Sequence, residues 1–196
     1  MTQSNAIRAS VAAMKVMNTV KWKFLDIGGS FPVSYQETVL PIEDFCAPLM
    51  EALSELPEGI EVFAEPGRFI SAPSMIEVVS IVGKAKRGAR TWYYLDDSVY
   101  GGFSGQMFDH ATYPLAPLKP FNALGEFLPS VLAGPTCDSI DVVAEDIELP
   151  EMQIGDILVG KQMGAYTIAS ATEFNYYPKP KVVVVEDIFD PETEAL

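Results

Sequence analysis

The sequence predicts α/β units on a parallel sheet, followed by a mostly antiparallel, β-rich C-terminal domain. Two observations carry this. Up to about residue 75, apolar residues at helical spacing alternate with short apolar strands, the rhythm of β/α units. Past Met75 the helical spacing gives way to β-branched and aromatic runs broken by turn residues, the texture of antiparallel strands. The boundaries follow as residues 1–75 for the α/β part, 76–186 for the β-rich part and 187–196 for an acidic tail with little to bury.

Taken in order, Ile7, Val11, Met14 and Met17 give one apolar face to a helix over about 6–18, with Ser4 or Asn5 available as its cap. Trp22 to Ile27 is a short apolar run that breaks at Gly28-Gly29-Ser30, as a buried strand ending in a tight loop does. Helical spacing returns from Ile42 to Leu56, around Pro48, and Pro57-Glu58-Gly59 ends it. Ile60 to Ala64 is the next strand and closes on Glu65-Pro66-Gly67-Arg68. Ligands gather at the carboxyl ends of parallel strands, and both loops belong to that end. Two such units do not close a barrel, and a two-stranded parallel sheet leaves apolar surface exposed. Further strands are expected at Ile76 to Lys84, Arg90 to Leu95, Ser139 to Val143, Ile157 to Val159 and Lys181 to Val185.

With 196 residues, 48% of them hydrophobic, the chain has material for a sizeable core. A net charge of −14 opposes nucleic acid and favours small cations. Cys46 and Cys137 stand far apart and no secretory leader opens the sequence, which fits a reducing cytoplasm. No run of eighteen apolar residues is present, so no membrane span is expected. Metal-ligand spacing is also missing, so no metal is expected.

Five places carry chemistry. Glu65 and Arg68 put an acid and a base at a strand end, where Pro66 offers no N–H and Gly67 allows close approach; a ligand grip and a local ion pair are both open there. The loop Gly28-Gly29-Ser30 exposes successive N–H groups suited to an anion, or is an ordinary turn. His110, the only histidine, follows Asp109 and is a general base or a hydrogen-bonded structural residue. Cys137 lies in Gly134-Pro135-Thr136-Cys137-Asp138, where neighbouring carboxylates favour the neutral thiol and hence proton donation over nucleophilic attack. Tyr166, after Gly164-Ala165, presents a hydroxyl beside closely approaching backbone.

Six motifs in order, Leu25-Asp26-Ile27-Gly28-Gly29, Glu65-Pro66-Gly67-Arg68, Asp97-Ser98-Val99-Tyr100-Gly101, Asp109-His110, Gly134 to Asp138, and Gly155-Asp156 with Met163 to Thr167, resemble the ornithine decarboxylase-like, fold-type III pyridoxal-phosphate decarboxylases. The resemblance covers nearly the whole chain. It implies the last β/α units of a TIM-type barrel before the β-rich domain, and a homodimer with shared sites. It also implies pyridoxal phosphate as cofactor, with Glu65 at the pyridine nitrogen and Arg68, Gly28, Gly29, Ser30 and Tyr166 at the phosphate, Pro66 and Gly67 shaping the loop between them. Cys137 resembles the residue that reprotonates the product from the neighbouring subunit, and Asp109 and Asp138 the pair that receives the substrate's distal ammonium.

Cys137-Asp138, rather than Cys-Glu, resembles the branch taking ornithine or lysine, which would yield putrescine or its homologue for polyamine biosynthesis. Ser30 replaces the family's third glycine, and Phe108 a tyrosine. The family's cofactor-bearing lysine belongs to earlier barrel strands; Lys15, Lys21 and Lys23 lie in the wrong context, so the isolated chain is expected to be inactive. A regulatory homologue without chemistry, or a non-functional fragment, is the alternative.

Overall fold

The computed structural model describes residues 3–17, 19–118 and 125–185. The chain forms two compact units, Met1–Ser74 and Met75–Leu196. The predicted acidic tail lies outside the described residues.

In the first unit, α1 (Gln3–Val16) buries Ile7, Val11 and Met14, a spacing that places them on one stripe. Ile7 and Val11 pack with Leu49 and Ala52 of α2 (Ile42–Leu53), and Leu25, Ile27 and Phe45 flank that core. Arg8–Glu51 ties the two helices at the surface, 3.3 Å apart, and Lys15–Glu55, 3.7 Å apart, ties α1 to the turn after α2. Strand β1 (Phe24–Asp26) pairs in parallel with β2 (Glu61–Phe63), Phe24 opposite Glu61 and Asp26 opposite Phe63. A short helix α3 (Gly67–Ser71) and a 3-10 turn at Ala72–Ser74 close the unit. As expected for two β/α units, no barrel closes among the described residues, and Phe24, Val62 and Phe63 are 59%, 43% and 50% exposed on the two-stranded sheet.

Helix α1 starts earlier than its expected caps, so Ser4 and Asn5 lie inside it. Gln3 explains the start, because its carboxamide N–H group donates to the carbonyls of Ile27 (2.9 Å) and Gly29 (3.0 Å) and docks the first turn on the loop after β1.

The second unit contains β3 (Glu77–Arg87), β4 (Arg90–Leu95), α4 (Gly105–Asp109), β5 (Leu115–Pro117), β6 (Phe127–Ala133), β7 (Val142–Pro150) and β8 (Ile157–Gly160). The six strands form one sheet in the order β5-β8-β3-β4-β6-β7. Strand β3 shows the period-two pattern that fixes its faces: Val79 and Ile81 are buried while Val78 and Val82 are about half exposed. Tyr93, Leu95, Leu132, Leu149 and Leu158 complete the core, and the Tyr93 hydroxyl accepts the Met152 N–H at 3.0 Å.

The sheet is mixed. Pairs β3–β4, β3–β8, β5–β8 and β6–β7 are antiparallel, but β4 and β6 run parallel, joined by the long crossover through α4 and β5. The reading from composition did not include β6, which carries Pro129. That proline pairs with Glu148 of β7 and lies beyond the β4 ladder, which begins at Ser130, so its missing N–H costs β4 nothing. The expected strand over 139–143 begins only at Val142, because the Asp138 carboxylate accepts the Ile140 N–H and holds a turn there. Lys181 to Val185 forms no strand; among the described residues no edge pairs with it, and Val182 to Val185 stay about half exposed.

Candidate functional site

Parallel pairing brings the two loops of the first unit together. With Asp26 opposite Phe63, the chain leaves both strands side by side, and the Glu65 N–H donates to the Gly28 carbonyl at 2.9 Å. The Asp26 carboxylate accepts the Gly28 N–H at 2.8 Å, an Asx turn that sets Gly28 at φ 72° and lets Ser30 follow at φ 64°. Gly29 lies against Glu65: a Cβ there would meet the Glu65 carbonyl oxygen at 2.8 Å. Past Glu65, the Gly67 N–H turns back to the Glu65 carbonyl at 2.7 Å, and α3 carries Arg68 with its guanidinium 6.0 Å from the Tyr35 ring centre. An exposed carboxylate, a guanidinium and a glycine loop are thus gathered at one end of the parallel pair. This donor set suits a ligand with an anionic group at one end and a basic ring nitrogen at the other.

Cys137 and Asp138 sit in the loop between β6 and β7. Asp141 shapes that loop: one carboxylate oxygen accepts the Val99 N–H at 3.1 Å, the other the Thr136 N–H at 3.1 Å and the Thr136 hydroxyl at 2.7 Å. Asp138 takes the Tyr100 hydroxyl at 2.6 Å. That bond holds the Asp138 carboxyl below the ordinary range, so it stays ionised, and pushes the Tyr100 phenol up to about 12. Cys137 is exposed, and its Sγ accepts the Asn175 Nδ2–H at 3.3 Å.

Buried Asp97 and half-buried Glu77 form a pair that sequence reasoning missed. Asp97 accepts the N–H groups of Ser98 and Gly102, both at 2.8 Å, and shares a hydrogen bond with Glu77. Burial, that bond and the charge of Asp97 together push the Glu77 carboxyl up to about 8. The shared proton therefore rests on Glu77 and Asp97 accepts. A Cβ at Gly102 would push this pair aside, since it would meet Glu77 Oε2 at 2.3 Å and Asp97 Oδ2 at 2.6 Å. In sequence, the only signal was Asp97 ahead of a glycine pair.

Residues 32–164 match the family described as pyridoxal-dependent decarboxylase, C-terminal sheet domain. The chain is 40% identical over 175 residues to the lysine/ornithine decarboxylase of Selenomonas ruminantium, covering 87% of this chain and 42% of that protein. It is 37% identical over 176 residues to the ornithine decarboxylase of Cricetulus griseus, covering 82% and 38%. Among solved structures, lysine/ornithine decarboxylase from Vibrio vulnificus complexed with cadaverine is 50% identical with a TM-score of 0.86, covering 92% of this chain and 50% of that one. SrLDC in complex with PLP and cadaverine is 34% identical with a TM-score of 0.83, covering 98% and 50%. This chain belongs to the pyridoxal-dependent decarboxylases.

It spans about two fifths to one half of the length of these relatives. Of the other expected site residues of this decarboxylase chain, Asp109 ends α4, and His110 caps it in the left-handed conformation, φ 54°, its N–H donating to Gly105. That cap is a structural role for His110. Tyr166 belongs to the second unit, at φ 55° and 53% exposed, with its carbonyl packed on Gly105 at the start of α4. No group of three metal-ligating side chains occurs among the described residues, and no helix there is long and apolar enough to cross a membrane.

Proposed function

We propose that this chain is the C-terminal part of a pyridoxal-phosphate-dependent decarboxylase converting ornithine or lysine to a diamine and carbon dioxide, a step of polyamine synthesis. The juxtaposition of Gly28 to Ser30 with Glu65 to Arg68 carries the reading, because it offers a phosphate and a pyridine nitrogen separate partners on adjacent strand ends. When bound, pyridoxal phosphate supplies an electron sink for the electron pair left as carbon dioxide departs. Glu65 would face the ring nitrogen and hold its proton. Arg68, the backbone of Gly28, Gly29 and Ser30 and the Tyr166 hydroxyl would hold the phosphate, with Pro66 and Gly67 fixing the turn between the two grips. Gly67 does so with its N–H committed to Glu65.

Cys137 would deliver a proton to the substrate's α-carbon, and Asp109 and Asp138 would receive the distal ammonium. Asp138 is kept anionic for that purpose, and the ammonium would share it with the Tyr100 hydroxyl. The exposed apolar faces of β1 and β2 support their reading as the last strands of a barrel. A homodimer with shared sites, located in the cytoplasm, completes the proposal.

Complementation tests it. The chain is supplied with an upstream barrel half carrying the cofactor lysine, and carbon dioxide release is measured from ornithine, lysine, arginine and diaminopimelate. Release from ornithine or lysine is expected, with none from the chain alone. Release from none of the four would favour a regulatory homologue.

A further inference from the structure

Residues 172–175 close a ring of contacts around the Cys137-Asp138 loop. The Thr172 N–H donates to the Tyr100 carbonyl at 2.7 Å, and the Phe174 ring stacks on Tyr100 with centroids 4.1 Å apart and planes 22° apart. Tyr100 in turn holds Asp138, and Asn175 reaches Cys137. The turn Phe174–Tyr176 puts Asn175 at φ 56°, ψ 25° and Tyr176 at φ 58°. Asn is among the few residues besides glycine that enter this left-handed region readily. Two consecutive left-handed residues cost conformational energy, and here they carry the Asn175 carboxamide to the sulfur.

The carboxylates flanking Cys137 are engaged elsewhere: Asp138 with Tyr100 and Ile140, Asp141 with Val99 and Thr136. A donor aimed at Sγ leaves the S–H proton free to point at a substrate. Once the proton has moved to carbon and the sulfur holds the electron pair as thiolate, the same N–H stabilises the negative charge.

We infer that Asn175 is a positioning residue for Cys137, orienting the thiol for proton delivery and holding the thiolate that results until it takes a proton from solvent. The inference rests on the proposed role of Cys137 as proton donor, but its test does not require that role. Asn175→Asp keeps the size and the left-handed tolerance of the side chain while replacing the N–H donor with a carboxylate. In the full chain without cofactor, alkylation of Cys137 by iodoacetamide is followed by peptide mass spectrometry at one mildly alkaline pH. The rate depends on the thiolate fraction and is expected to fall about ten-fold in Asn175→Asp; a rate within about two-fold of the parent, the scale of context scatter, overturns the inference.

Should that variant fail to fold, a second variant, Cys137→Ser, compared with the parent decides. The Asn175 side-chain NH2 resonances should move in Cys137→Ser, and resonances that stay in place overturn the contact. Neither readout involves carbon dioxide release, so failure here is separate from failure of the decarboxylase reading. In an active assembly, Asn175→Asp should lower kcat about ten-fold with cofactor affinity unchanged, as loss of an interaction made during proton transfer does.

Discussion

The Tyr100 hydroxyl donates to Asp138 Oδ2 at 2.6 Å across 38 residues of sequence, linking the turn after β4 to the loop after β6. Those strands are parallel neighbours, so their carboxyl ends deliver both residues to the same edge of the sheet. The bond holds Asp138 ionised beside Cys137 and fixes the ring on which Phe174 stacks.

Tyr100→Phe should therefore move the Asp138 carboxyl titration upward, followed by carbon-detected NMR. In the parent, stability from this carboxylate is present above the ordinary Asp value and is lost as pH falls through the lowered one. The variant should lose that acid-limb contribution. An Asp138 titration unchanged by the substitution would show that the hydroxyl does not set its charge.

Glu77 works in the opposite direction. Its folded value, about 8, lies above the ordinary Glu value, so its contribution is full below about 4.5 and is lost as pH rises toward about 8. The raised value of Asp97 adds with the same sign. Urea midpoints of the parent should decline across that window. Glu77→Gln, which can keep a hydrogen bond to Asp97, should flatten the decline.

Leu132 is fully buried near the C-terminal end of β6, between β4 and β7. Truncation to Ala should cost about 2–5 kcal/mol by chemical denaturation, the range for a buried leucine that leaves a cavity. Val183→Thr, on the half-exposed segment after Pro180, should change stability by less than about 0.5 kcal/mol.

Gly29→Ala should destabilise the first unit by about 1–3 kcal/mol, because the added Cβ meets backbone, which cannot rotate away. Ser30→Gly, at φ 64°, should be neutral or slightly stabilising, since glycine enters that conformation without strain. Equal urea midpoints for Gly29→Ala and the parent would show that the loop moves freely off Glu65.

Much of the fold was legible because its signals are local. The stripe Ile7, Val11 and Met14 specified α1, the aromatic run Arg90 to Leu95 specified β4, and the change of period near Met75 marked where parallel β/α texture ends. Strand β6 was not assigned from the pattern; it carries Pro129, which is tolerated because the β4 ladder starts one residue later. The valines from 182 to 185 misled in the opposite sense, since β-branched residues form a strand only where an edge accepts their N–H and C=O groups.

By itself the sequence determined the chemical inventory: Gly28, Gly29, Glu65, Arg68, Cys137, Asp138 and Tyr166 in an ordered series of motifs that resembles the pyridoxal-phosphate decarboxylases. Only the tertiary structure decided which of these groups meet and in what charge state. Register placed Gly28 against Glu65, the parallel β4–β6 pair gave Tyr100 to Asp138, and a left-handed turn carried Asn175 to Cys137. Spacing along a chain fixes side-chain type and local backbone, but the charge of a half-buried Glu77 and the partner of an exposed thiol depend on neighbours twenty or more residues away, which folding alone brings within hydrogen-bond range.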